Sequence, residues 1–153
     1  MTESRGTATR ILLPIDLDVG AEPLLTVATR LARSRGAIVR LLYVAPPPDD
    51  LYEQRGPAVY VDEAMARLEA EAIGRLRRLA GVGNVPVETA VRFGDPATAI
   101  LRETASSGAH LVVLGGSGAD AGNGSGLDGV AQEVCRRASV PVLVYRGRRA
   151  VPL

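Results

Sequence analysis

Residues 110–130 read HLVVLGGSGADAGNGSGLDGV, and this stretch is decisive for the fold class. It opens with a short apolar run, residues 110–114, whose length and valines predict a buried β-strand. A glycine-rich segment follows, and apolar residues then return at helical spacing. The stripe predicted to face the core of this helix consists of Val130, Val134, Cys135 and Ala138. The stretch therefore predicts a strand, a glycine-rich connection and a helix.

Four further apolar runs continue this pattern on the N-terminal and C-terminal sides. They cover residues 10–15, 40–44, 85–93 and 140–145. The run at 85–93 alternates and predicts an edge or partly exposed strand, whereas the other four of the five runs are predicted to be buried on both faces.

Helical patterns separate the five runs. The longest predicted stripe comprises Val61, Met65, Leu68, Ala72, Leu76 and Leu79. An earlier helix is predicted to end at Gly36, and Asp95 followed by Pro96 is a favourable helix start. Strict alternation of strands and helices predicts an α/β fold, a single doubly wound, Rossmann-like parallel sheet of five strands with helices on both faces.

Length and composition bound the domain organisation and exclude several classes of protein. The 153 residues fit one domain over 1–153, with a flexible N-terminus at 1–9 and a tail at 147–153. No apolar run approaches the ~20 residues that a membrane helix needs, and residues 1–10 lack a signal-peptide pattern. A net charge of +1 argues against nucleic acid as a partner. We therefore predict a cytoplasmic protein with neither membrane nor nucleic-acid partners.

A binding site is predicted at the carboxyl ends of the strands, where ligands bind in doubly wound sheets. Residues 14–16 end the first strand, Val44 ends the second, and the glycine-rich residues 114–129 follow the fourth. Glycines at a strand-to-helix connection let backbone N–H groups approach an anion, and the helix N-terminus favours negative charge. A flexible loop has the same composition, so both interpretations stay open at this point.

The chain resembles the universal stress protein family in several motifs that occur in order along nearly its whole length. Residues 10–16 (RILLPID) resemble the opening strand of that family, and residues 93–96 (FGDP) its third-strand exit. Residues 109–115 (AHLVVLG) resemble its fourth strand, and residues 130–134 (VAQEV) with 141–144 (PVLV) its last helix and strand. The resemblance implies strand order 3-2-1-4-5 and a homodimer through the last strand, residues 140–145.

The resemblance also implies an adenine-nucleotide cleft, with a phosphate loop that departs from the family pattern. Carried over, Gly115 and Gly118 match the first glycines of that loop, but Asp128 stands where the family has glycine and Gly129 where it has serine or threonine. A carboxylate at that position repels a polyphosphate. The nucleotide-binding residues implied by the resemblance are Pro14, Ile15, Asp16, Val44, Leu114, Gly115, Ser117, Gly118, Asp128, Gly129 and Val130.

Two functions follow as alternatives, and a third class, an enzyme, lacks support. The first is a regulatory module of the stress response that binds ATP weakly or not at all; the second is an ATP- or AMP-binding member whose nucleotide state is the signal. Asp16 has a structural alternative as a strand-end cap, and His110 is predicted to be structural. With one histidine, no lysine and no metal-ligand pattern, the sequence predicts no enzymatic activity and no metal.

Overall fold

The computed structural model describes residues 8–17, 21–46, 58–81, 84–116 and 129–146, without the side chains of 58–62. Strands and helices alternate along these residues as the sequence predicts. The elements are β1 (Arg10–Pro14), α1 (Ala21–Arg35), β2 (Ile38–Ala45), α2 (Ala58–Ala80), β3 (Val87–Phe93), α3 (Pro96–Ser107), β4 (Leu111–Gly116), α4 (Gly129–Arg137) and β5 (Val142–Arg146). The five strands form one parallel sheet in the order β3-β2-β1-β4-β5, which confirms the predicted fold class.

Two hydrophobic cores lie on the two faces of this sheet, because successive side chains of a strand point to opposite sides. On β1, Leu13 packs into the core beneath α1 and α2, whereas Leu12 packs into the core beneath α3 and α4. Both side chains are fully buried. The central strands therefore carry continuous apolar sequence, and the prediction that they are buried on both faces is confirmed for β1 and β4.

Several helix ends follow the local signals in the sequence. Asp95 caps α3, because its carboxylate accepts a hydrogen bond of 3.0 Å from the Thr98 backbone N–H. The backbone and hydroxyl hydrogen bonds from Thr98 hold the pKa of Asp95 below its ordinary value. Gly36 follows the last residue of α1 with φ +62°, a left-handed conformation that favours glycine.

Three predictions of burial are wrong. The strand β5 lies at the edge of the sheet, none of its residues is fully buried, and Leu143 is 40% exposed. Cys135 is exposed, because Ala131 and Val134 form the buried side of α4. Leu68 on α2 is 44% exposed, whereas Ala72 and Leu76 of the same predicted stripe are buried. The predicted edge position of the third strand, in contrast, is confirmed.

Candidate functional site

A cleft opens at the carboxyl edge of the sheet, between the ends of β1 and β4. The chain leaves β1 towards α1 on one face and leaves β4 towards α4 on the other, as expected at a point where strand order reverses. The pairing of β1 with β2 reaches Pro14, but its pairing with β4 ends at Leu12. The cleft encloses about 550 Å³, which suits a small organic ligand.

Most of the predicted site residues that the structure describes meet in this cleft. Its walls include Pro14, Ile15, Asp16, Val44, Leu114, Gly115 and Val130. Gly129 is the first residue of α4 and is exposed, and it is not among the residues that line the cleft. Ser117, Gly118 and Asp128 lie outside the described residues. The structure therefore brings the predicted residues at the ends of β1, β2 and β4 together in one cleft.

The end of β1 is held to β2 beyond the last residue of the strand. The backbone N–H of Ile15 donates a hydrogen bond of 2.9 Å to the carbonyl of Leu42, and the Ile15 side chain is buried. The next residue, Asp16, is exposed at the rim of the cleft. This arrangement anchors the backbone where Asp16 reaches the rim of the cleft.

Glycine at the end of β4 allows α1 to approach the strand closely. A Cβ atom on Gly115 would lie 2.9 Å from Leu24 Cδ1, which is closer than real Cβ contacts. This contact brings the first turn of α1 against the sheet, and Ala21, Pro23 and Leu24 consequently line one side of the cleft.

Sequence reasoning missed several lining residues that come from other elements. They are Leu42 and Tyr43 of β2, Pro96 and Ile100 of α3, Ala131 of α4, Tyr145 of β5, Gly116 of β4, and the α1 residues just named. Tyr145 is paired in register with Gly115. A signal for Tyr145 was its place at the end of the fifth run, the position that Ile15 holds in the first. The contributions of α1 and α3 had no such signal, because they depend on how the helices pack.

The polar character of the cleft is limited. Of the lining residues, all within the described part of the chain, Asp16 is the one acidic side chain, and none is arginine. Tyr43 and Tyr145 add two half-buried phenols. The described part of the lining is therefore mainly apolar, with one carboxyl group and two phenol hydroxyls.

Three further observations concern His110, metal-binding groups and membrane-spanning helices. His110 lies at the amino end of β4, where its Nδ1 accepts a hydrogen bond of 3.1 Å from the Arg10 backbone N–H. Within the described ranges, no three His, Cys, Asp or Glu residues are grouped so that they could hold a metal ion. None of the helices described has the length and apolarity that crossing a bilayer requires.

Comparison with known proteins decides the family. The Universal stress protein family matches residues 7–146, nearly the whole chain. The chain belongs to the universal stress protein family. No curated protein matches it.

Solved structures of this family share the fold. The hypothetical protein MJ0577 superposes with a TM-score of 0.75 at 20% identity, over 93% of this chain and 98% of that one. A universal stress protein in complex with cAMP gives 0.63 at 19% identity, over 92% and 98%. The Archaeoglobus fulgidus universal stress protein in complex with dAMP gives 0.56 at 22% identity, over 89% and 96%. Related proteins of the same fold thus bind adenine nucleotides with one phosphate.

Proposed function

We propose that this universal stress protein is a regulatory module whose cleft binds an adenosine monophosphate, AMP or cyclic AMP, in preference to ATP. The observation that carries the proposal is the cleft at the ends of β1, β2 and β4, with Pro14, Asp16 and Val44 in its walls. Its volume of about 550 Å³ accommodates a base and a ribose.

The charges of the cleft support a ligand with few phosphates. No arginine lines it among the described residues, and the chain has no lysine, so a polyphosphate there lacks the usual side-chain counter-charge. The sequence adds Asp128 in the position where the family has glycine. Like charges ~4 Å apart repel by about 4 kcal/mol at an effective dielectric near 20, which disfavours a triphosphate more than a monophosphate.

The structural relatives supply a second line of support. Two of them are complexes with cAMP and with dAMP, ligands that combine adenine, a sugar and one phosphate. In the alternative function, an ATP- or AMP-binding member whose nucleotide state is the signal, the binding of ATP rests on Gly115 and Gly118 in the family's glycine pattern. Both functions use the same base pocket and differ in what the glycine-rich residues tolerate.

We further propose a homodimer through residues 140–145 and a cytoplasmic location. The edge position of β5 supports the dimer: β4 is its one strand neighbour among the described residues, and Leu143 is 40% exposed. Catalysis is not part of the proposed function, since the described residues that line the cleft include no serine, threonine, cysteine, histidine or lysine.

Isothermal titration calorimetry with AMP, cyclic AMP, ADP and ATP tests the proposal. We expect the wild-type protein to bind a monophosphate with a Kd in the micromolar range, about −8 kcal/mol, and ATP at least tenfold more weakly. The variant Asp128→Gly/Gly129→Ser restores the family pattern and is expected to gain ATP affinity without losing AMP. Tight ATP binding by the wild type would contradict the preference, and binding of no nucleotide would contradict the function.

A further inference from the structure

Helix α3 presents a cleft wall and a buried carboxylate on one face. Pro96, Ile100 and Glu103 are spaced four and three residues apart, so they share one side of the helix. Pro96 and Ile100 line the cleft. Glu103 is 2% exposed, although it carries a charge that burial penalises. Glu103 does not line the cleft, so its burial needs another explanation.

Strand β2 faces α3 with the matching arrangement. Leu42 and Val44 line the cleft, and Arg40 lies on the same side of the strand because side chains alternate. Two nitrogens of Arg40, Nη2 and Nε, donate to Glu103 Oε1 at 2.7 and 2.8 Å. The ion pair therefore lies towards the amino edge of the sheet in the same α3–β2 contact that forms the cleft at the carboxyl edge.

A second arginine completes the coordination of the Glu103 carboxylate. Arg92 of β3 donates from Nε to Glu103 Oε2 at 2.9 Å. With both oxygens bound by guanidinium groups from two strands, the helix cannot slide or rotate over the sheet without breaking charge-assisted hydrogen bonds. Buried ion pairs add little net stability compared with apolar packing, but they are directional. The position of α3 is therefore a better explanation for this ion pair than stability.

We infer that Glu103 is a positioning residue for the cleft: through Arg40 it holds α3 at the distance from β2 that the base and ribose require. The inference rests on the proposed function, because the width that Glu103 maintains is that of the proposed nucleotide pocket. Displacing the wall formed by Pro96 and Ile100 loosens the contact with a ligand without removing any group that touches it.

Glu88 offers a matched control within the same network. Its Oε2 accepts a hydrogen bond of 2.9 Å from Arg40 Nη1, and Oε1 pairs with Arg10 at 2.8 Å. Glu88 belongs to β3, not to α3, so replacing it removes one charge from the network and leaves the helix bound to Arg40. The pair of variants Glu103→Gln and Glu88→Gln separates a positioning role from a general contribution to stability.

The experiment combines AMP calorimetry with amide hydrogen exchange of residues 97–101 on both variants, without ligand. We expect Glu103→Gln to raise the Kd for AMP about tenfold and to speed exchange at 97–101, whereas Glu88→Gln changes the Kd less than about threefold and leaves that exchange unchanged. Equal effects of the two variants on Kd and exchange would overturn the inference. If Glu103→Gln does not fold, Arg40→Met/Glu103→Leu replaces the pair by apolar side chains, and wild-type AMP affinity in this variant would overturn it as well.

The same data distinguish this inference from the proposed function. A wild-type protein that binds no nucleotide contradicts the proposed function, and the exchange at 97–101 then decides the inference by itself. Faster exchange in Glu103→Gln than in Glu88→Gln supports the positioning of α3, and equal exchange overturns it. Binding of AMP with equal affinity in all three proteins contradicts the positioning role alone.

Discussion

Gly115 of β4 and Leu24 of α1 are in direct contact: a Cβ atom placed on the glycine would lie 2.9 Å from Leu24 Cδ1. The glycine therefore lets the first turn of α1 approach the sheet at the mouth of the cleft. The neighbouring atom is the end of a side chain, which can move if the surroundings give way, so the contact is a packing constraint and not a backbone clash.

We predict that Gly115→Val destabilises the protein by about 1–3 kcal/mol, the usual cost of overpacking, and weakens ligand binding as Leu24 is displaced. Chemical denaturation measures the free energy of unfolding. Gly74→Ala is the control, because Gly74 lies in the interior of α2 with open space around its Cβ position. We expect this variant to stabilise the protein by about 0.5–1 kcal/mol. The double variant Leu24→Ala/Gly115→Val should recover part of the loss; no recovery would refute the contact as its cause.

Stability is expected to fall at acidic pH through Glu88. Hydrogen bonds from Arg10, more than those from Arg40, hold the pKa of Glu88 below its ordinary value against the opposing effect of burial. A depressed pKa in the folded state stabilises the protein above the unfolded-state pKa, and this stabilisation is lost as pH falls through the folded-state pKa. The Arg10 guanidinium has a correspondingly raised pKa.

The measurement is the free energy of unfolding of wild type and Glu88→Gln between about pH 6 and about pH 3. We expect the difference between the two proteins to be largest at pH 6 and to shrink towards pH 3. Asp95→Asn serves as a comparison, because the pKa of Asp95 is also lowered, but mainly by hydrogen bonds from Thr98 at the start of α3. A difference between wild type and Glu88→Gln that is independent of pH would contradict the assignment.

The proposed dimer predicts that a charge on the edge strand separates the subunits. Leu143→Glu places a carboxylate on the exposed side of β5, and we expect a shift from dimer to monomer in sedimentation velocity at micromolar concentration. Leu68→Glu is the matched control, since Leu68 is equally exposed but lies on α2. A wild-type monomer, or a dimer that Leu68→Glu disrupts equally well, would argue against the β5 interface.

Asp16 is predicted to contact the ribose or the base. Asp16→Asn keeps the shape of the side chain, removes its charge and replaces one acceptor oxygen by a donor, and we expect about tenfold weaker AMP binding, or about 1.4 kcal/mol. Calorimetry on Asp95→Asn provides the control, because Asp95 is an exposed aspartate at a helix start and does not line the cleft. Unchanged affinity in Asp16→Asn would support the alternative role of Asp16 as a strand-end cap.

The elements were predictable from the sequence because their signals are local. Each strand begins and ends within two residues of its predicted apolar run, and Asp95 with Pro96 starts α3 as expected. Parallel strands bring their carboxyl ends to one edge of the sheet, so the cleft was predictable for the residues at those ends, Pro14 to Asp16 and Val44. Short-range sterics, capping and hydrophobic periodicity are sufficient for these conclusions.

Only the tertiary structure decided which side chains meet across the sheet and which strand is left uncovered. Arg40 and Glu103 are separated by 63 positions and come together because α3 packs over β2. The apolar sequence of β5 resembles that of a central strand, yet it lies at the edge, since burial depends on neighbouring strands and helices and not on the strand alone. The end of the fifth run indicated that Tyr145 lies near the carboxyl edge of the sheet, but its register with Gly115 is a relationship between distant parts of the chain that only the tertiary structure decides.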